Sequence, residues 1–223
     1  MDSITDIRQQ LADAAHRLHA KGLVGEGVAS LSMRVPGQSQ MAVAPKGSAF
    51  AGLKVDQVEI LPFDAATDPE RGLHATVYRT RPDTGAIAHL HPQWASALRL
   101  LDQPMPGIFD EQVRQLGRSL KRLPYSEPAL GREAIALLKD HDNAFLYGDG
   151  VLCLGVTRDR VIFNAELLEK CAKAYVLASA TGRKVGTVPL FVREIAHSRM
   201  LKDQKKAAAA YARGEVPTGF TAY

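Results

Sequence analysis

Residues Ile87-Ala88-His89-Leu90-His91 alternate in the two-residue rhythm of a β-strand, and Pro92 closes the run. Side chains on a strand face opposite sides in turn, so His89 and His91 project from one face, their Cα atoms roughly 6.5–7 Å apart. Two imidazoles that close can hold one metal ion between them. They can equally be two half-exposed histidines near a strand end, and the pair alone leaves both readings open.

The rest of the chain constrains what surrounds this strand. Residues 3–21 carry Ile4, Ile7, Leu11, Ala14, Ala15 and Leu18 at three- and four-residue steps, which predicts a helix capped by Ser3 and stopped at Gly22. His16 and His19 lie on it as surface histidines. Gly25-Glu26-Gly27 leads into a strand over 28–35, Pro36-Gly37 turns the chain, and 40–44 returns as the second arm of a hairpin. A turn and short strand follow over 53–61. Asp68-Pro69-Glu70 opens a helix that runs to about 80, with proline and acids in its first turn. Helices are expected over 93–101, with Trp94, Leu98 and Leu101 facing in, and over 109–116, 127–140, 164–181 and 189–213. Strands are expected over 120–124 and on either side of Gly148-Asp149-Gly150. Glycines flanking an acid let the backbone carry it close to another group.

This order predicts an α/β (α+β) sandwich, a mostly antiparallel sheet flanked by helices, and not a doubly wound nucleotide fold. No phosphate loop or dinucleotide fingerprint is present. With no linker or repeat, residues 1–223 are expected to form a single domain with a helical C-terminal extension from about 189. The net charge of +4 is spread over scattered Lys and Arg, and the three lysines within 202–207 read as a solvated helix face, so nucleic acid is not an expected partner. No apolar run approaches the ~20 residues that span a membrane, no signal-peptide pattern opens the chain, and Cys153 and Cys171 read as reduced core thiols. A cytoplasmic location is the default expectation.

The run Glu70-x3-His74-x3-Tyr78-Arg79-x-Arg81-Pro82-Asp83, then Gly85-Ala86 and His89-x-His91, resembles the class II aldolase/adducin family, which includes sugar-phosphate aldolases, an epimerase, a dehydratase, decarboxylases and the adducin head. The resemblance covers about residues 6–182. It implies that His89 and His91 bind a divalent ion, zinc by preference, with manganese or iron as alternatives, and that Glu70 is the acid/base. It also implies a homo-oligomer, commonly a tetramer. A metal on a substrate's hydroxyl and carbonyl oxygens acts as a Lewis acid, and a neighbouring carboxylate moves the proton. Without the resemblance, Glu70 would read as an ordinary acid in a first helical turn.

Three departures from the family pattern shape the expected chemistry. Where the family places Asn-His-Gly, this chain has Gly148-Asp149-Gly150, so Asp149 stands as the third ligand or metal affinity is reduced or lost. The family's phosphate-binding positions read Ala29-Ser30-Leu31-Ser32, Ala44-Pro45-Lys46-Gly47 and Asp68-Pro69-Glu70, which lack most of the donors and add an acid. Ser30, Lys46 and Gly47 are the candidate substrate-binding residues, with Lys46 suited to a carboxylate. The aldolases' proton-donating tyrosine is replaced by Ile108-Phe109-Asp110; Tyr125, Tyr211 and Tyr223 could supply it if the fold brings them near. The expected activity is a metal-dependent carbon–carbon lyase, an aldolase or decarboxylase, acting on a small, non-phosphorylated hydroxy or oxo acid or sugar derivative. The alternatives are a non-catalytic adducin-head-like module and a non-haem iron oxygenase or isomerase using a His-His-Asp triad.

Overall fold

The computed structural model describes residues 4–25, 29–44, 47–65, 68–125 and 130–220. Ser3, Lys46, Tyr223 and the expected helix start at Glu127 lie outside the described residues. The chain runs through α1 (Ile4–Ala20), β1 (Ser30–Arg34), β2 (Gln40–Val43), β3 (Glu59–Pro62), α2 (Pro69–Thr80), β4 (Ala86–Leu90), α3 (Gln93–Ala97), β5 (Met105–Pro106), α4 (Asp110–Gln115), β6 (Ser119–Arg122), α5 (Arg132–Leu138), β7 (Ala144–Tyr147), β8 (Gly150–Gly155), α6 (Arg158–Ser179) and α7 (Leu190–Ala212). The strands form one eight-stranded sheet in the order β3-β2-β1-β4-β8-β7-β6-β5. Every pairing is antiparallel except β6 with β7. This is the helix-flanked, mostly antiparallel sheet that the element order predicts.

Strand alternation sorts the sheet into two cores. Leu31, Met33, Ala86, Ala88, Leu90, Val151 and Cys153 face α1 and α6, whose Leu11, Leu18, Val161 and Leu168 complete that layer. Ile87, Leu152, Leu154, Phe145 and Tyr147 face the other way, onto α2 and α5, against Leu73, Val77, Ala134 and Leu138. Ser30, Ser32 and Arg34 are the alternate residues of β1, and His89 is the alternate of β4, so all four share the α2 face. In the β1–β4 register Ser30 sits opposite His89 and Ser32 opposite Ile87. Cys153 and Cys171 are buried free thiols, as expected. No helix among the described residues is long and apolar enough to cross a membrane.

Several elements depart from the sequence-based expectation. Helix α6 begins at Arg158, six residues before Asn164, because the Thr157 side chain accepts from the Arg160 amide at 3.2 Å and caps an earlier turn. The expected helix over 93–101 stays α-helical only to Ala97 and tightens into a 3₁₀ turn over Leu98–Leu100, so Leu98 is buried while Leu101 points outward. Met105–Pro106, expected as loop, adds a two-residue edge strand to β6.

Candidate metal centre

Helix α2 places the acid of the centre. Asp68 caps it, its side chain accepting from the Arg71 amide at 3.0 Å, and Pro69 occupies the first turn, where a missing N–H costs nothing. Glu70 then projects from the first turn toward β4, where its Oε1 lies 3.1 Å from His89 Nδ1. The Ser30 hydroxyl donates to the same Oε1. Burial raises the Glu70 pKa, but the hydrogen bond from His89, the charges of His74 and His89 and the Ser30 hydroxyl outweigh it and leave it at about 2. Glu70 is therefore a carboxylate throughout the neutral range.

The two histidines stand as the alternation predicts. Their ring centroids are 5.0 Å apart, and both rings are largely buried. His89 also packs edge-on against Tyr147 at 5.4 Å, and its Nε2 is 3.4 Å from the Tyr147 carbonyl, too long for a good hydrogen bond. The β7–β8 turn delivers Asp149 from 58 residues beyond His91, with Asp149 Oδ1 2.9 Å from His91 Nε2. Two glycines permit this approach. Gly148 adopts a left-handed φ of +57°, and a Cβ on Gly150 would lie 2.3 Å from the Leu90 carbonyl and 2.8 Å from the His91 ring. On the other side, a Cβ on Gly25 would collide with the His91 carbonyl, while the His91 amide donates to Val24 O at 3.1 Å.

These residues fit a divalent ion. One ligand atom from each of His89, His91 and Asp149 lies within 4.8 Å of the other two. Ligands on a tetrahedral ion at about 2.1 Å sit about 3.4 Å apart, so the three atoms would draw closer around an ion. With Nε2 donating to Asp149, His91 Nδ1 is a buried ring nitrogen without a hydrogen-bond partner. Two imidazoles and a carboxylate are donors that zinc, manganese and iron all accept. Asp149 differs from the histidines in being 69% exposed, and hydrogen bonding to His91 lowers its pKa.

Of the candidate substrate residues, Ser30 joins the centre through Glu70. Gly47 is exposed at a φ of +76°, three residues beyond Ala44, and Lys46 lies outside the described residues. Ala44, Ser30, Asp68, Glu70, Arg71 and His74 line a cavity of about 10 Å³, room for about one water. Tyr125, 58% exposed, reaches the neighbourhood, its ring 5.5 Å from that of Tyr147. Tyr211 does not. It donates to Val156 O at 2.9 Å and packs on Gly85, at the end of β4 away from His91. A cavity of about 670 Å³ lies at that far end, lined by Arg17, Arg34, Arg158 and Tyr211, and has no part in the histidine centre. The sequence reading missed Tyr147, whose carbonyl and ring both meet His89; its place directly before Gly148 was the available signal.

Residues 9–176 match the family model described as Class II Aldolase and Adducin N-terminal domain. L-fuculose phosphate aldolase of Escherichia coli O157:H7 is 23% identical over 185 residues, covering 78% of this chain and 84% of that protein. The 3-oxo-tetronate 4-phosphate decarboxylase of Haemophilus influenzae is 26% identical over 188 residues, covering 77% and 89%. Among solved structures, an L-fuculose 1-phosphate aldolase superposes with a TM-score of 0.77 at 22% identity, over 90% of this chain and 98% of that one. A family model spanning most of the chain, joined to this sheet order and this pair of histidines, places the protein in the class II aldolase and adducin N-terminal domain family.

Proposed function

We propose that the protein is a divalent-metal-dependent carbon–carbon lyase, an aldolase or decarboxylase, whose substrate is a small, non-phosphorylated hydroxy or oxo acid or sugar derivative. The observation that carries this reading is the convergence of His89, His91 and Asp149 beside the Glu70 carboxylate. Relatives named as an aldolase and a decarboxylase support the reaction class. His89, His91 and Asp149 would hold the ion, zinc first, manganese or iron otherwise. An ion held there would supply Lewis acidity to the substrate's oxygens. Glu70, held ionised next to His89, takes the hydroxyl proton of an aldol substrate and returns it to the enolate carbon; in a decarboxylation, where carbon dioxide leaves without a proton, it relays one from water to that carbon.

The case against a phosphorylated substrate comes from α2. Its first turn already has a carboxylate, Asp68, on the Arg71 amide, and Pro69 offers no N–H. The Arg71 guanidinium is bound to Glu59 at 2.7 Å and lies 3.4 Å from Asp68. A dianion would meet two acids and few donors there, in a cavity that holds about one water. Substrate contact is assigned to Lys46 and Gly47, while Ser30 acts through Glu70. A homo-oligomer, a tetramer by family resemblance, is part of the proposal, and exposed Leu190, Phe191 and Ile195 on α7 suit such contacts. A cytoplasmic location accompanies it.

The test is elemental analysis after reconstitution with zinc, manganese or ferrous iron, paired with a panel of hydroxy and oxo acids assayed for carbon dioxide or aldehyde release. One ion per chain, lost in His89→Ala, and turnover of a non-phosphorylated acid are expected. Absence of any stoichiometric ion would sink the metal centre, and faster turnover of phosphorylated substrates would sink the substrate class. The exposure of Asp149 favours one second reading, a non-catalytic assembly module like the adducin head. It predicts that His89→Ala changes no activity and no metal-dependent thermal stability.

A further inference from the structure

Beneath the centre, on the α2 face of the sheet, runs a line of polar groups enclosed in the core. Glu70, His74 and Tyr78 recur every four residues along α2, and Ser30 and Ser32 alternate along β1. The two periods mesh. Ser30 Oγ meets Glu70 Oε1 and lies 2.9 Å from His74 Nε2. Ser32 Oγ lies 2.6 Å from His74 Nδ1 and 2.9 Å from Tyr78 OH. Ser30, Ser32, His74 and Tyr78 are all no more than 3% exposed.

The protons in this line can be placed by elimination. A carboxylate only accepts, so the one Ser30 proton goes to Glu70. The Ser30 oxygen must then accept from His74, which puts a proton on Nε2. In a neutral ring Nδ1 is therefore an acceptor, filled by the Ser32 hydroxyl, and the Ser32 oxygen accepts from Tyr78. Reversing the line would require Tyr78 to donate elsewhere, and among the described residues its hydroxyl meets only Ser32 Oγ. Burial holds His74 neutral, at a pKa of about 4 despite the opposing charge of Glu70.

The geometry points to a one-way series of hydrogen-bond donors, Tyr78 to Ser32 to His74 to Ser30 to Glu70, in which His74 is a positioning residue locked as the neutral Nε2–H tautomer. Its output is the orientation of Glu70 against His89 Nδ1. Glu70, accepting from Ser30 on one side, accepts the Nδ1 proton of His89 on the other, which leaves His89 Nε2 as a free lone pair. Carboxylates that hold a ligating histidine in this manner commonly change metal affinity 10–100-fold when lost. The series extends that support one layer deeper, through His74, Ser32 and Tyr78, which lie behind Glu70 in the core. This inference rests on the metal-centre reading only for its effect on binding; the tautomer of His74 stands or falls alone.

Two measurements on the full-length protein test it. Long-range ¹⁵N correlation spectra of the metal-free protein, with His74 assigned by its absence in His74→Gln, should show a protonated Nε2 and a hydrogen-bonded, unprotonated Nδ1 from pH 5.5 to 8. An Nδ1–H tautomer or an imidazolium in that range would overturn the series. Cobalt(II) titration followed by visible absorption then compares variants. His74→Leu should weaken cobalt binding about 10-fold or more. His74→Gln, whose amide can still donate to Ser30 and accept from Ser32, should stay within about threefold of wild type, and Ser32→Ala should fall between them. Equal affinity in His74→Leu and wild type would overturn the positioning role. If His74→Leu does not fold, equal affinity in Ser32→Ala and wild type does the same. Should the wild type bind no cobalt, the metal-centre reading fails while the ¹⁵N spectra still judge the series.

Discussion

The two imidazoles of the centre are treated in opposite ways by their surroundings. His89 leans on Glu70 at 3.1 Å, and Glu70 is fixed from behind by Ser30, His74, Ser32 and Tyr78 inside the core. His91 leans on Asp149 at 2.9 Å, and Asp149 sits on a two-glycine turn with most of its side chain in solvent. The contact distances nearly match, but their energetic weight differs. A carboxylate in a low-dielectric setting with several donors is stiff, and its loss leaves buried groups unsatisfied. An exposed carboxylate pair is worth little by itself and can rotate. One half of the centre is thus preorganised and the other adaptable, a division suited to a site that must hold an ion firmly while admitting a substrate.

The contrast is sharpest at Glu70. Glu70→Gln keeps the size of the side chain and removes the proton acceptor. Turnover of whichever acid the substrate panel identifies should fall about 10²–10⁴-fold, with the ion retained. Loss of the ion with unchanged turnover per bound ion would assign Glu70 to the ligand set instead.

The buried half should also leave a mark on acid stability. His74 has a folded pKa lowered to about 4, so the unfolded chain takes up its proton first as pH falls below about 6.5. The folded state therefore loses stability as pH drops from about 6.5 toward 4, by at most roughly 3 kcal/mol, and that contribution is fully present above 6.5. Glu70, with its pKa lowered to about 2, acts the same way only below about 4.5. Urea unfolding of wild type and His74→Gln at pH 7 and pH 5 should show a steeper loss in wild type. Parallel losses would mean that His74 is not held neutral.

On the adaptable side, Gly150→Ala puts a methyl group against the Leu90 carbonyl and the His91 ring. Overpacking of this kind costs about 1–3 kcal/mol, visible as a lowered Tm, and should weaken metal binding together with stability. An unchanged Tm would show that the turn relaxes freely. Asp149→Asn should move stability least, by under about 1 kcal/mol, while weakening metal affinity if the carboxylate is a ligand. A larger stability loss there would erase the difference between the two halves.

How much of this was legible in the sequence depended on range. The shared face of His89 and His91 follows from strand periodicity alone, because it needs no knowledge of neighbours. The sheet and its helices followed from element order. That Glu70 lies beside His89 depends on how α2 packs across β1 and β4, which local pattern cannot give; only the family resemblance pointed there. The meshing of Ser30 and Ser32 with His74 and Tyr78 hid in the same gap. Both periods are visible in the chain, but their register is a tertiary fact. Ser30, singled out for substrate, has its hydroxyl on Glu70. Tyr211 read as a possible site tyrosine, yet α7 carries it to the opposite end of β4. The early start of α6 turned on one side-chain cap at Thr157, and outward Leu101 on a 3₁₀ turn that rotates the helix face.

The most direct measurement is an anomalous difference map at the zinc edge from crystals grown with zinc. A single peak about 2.0–2.2 Å from one nitrogen each of His89 and His91, with an Asp149 oxygen at the same distance, is the predicted result. No peak between the two rings, or one bound by other side chains, would contradict the account.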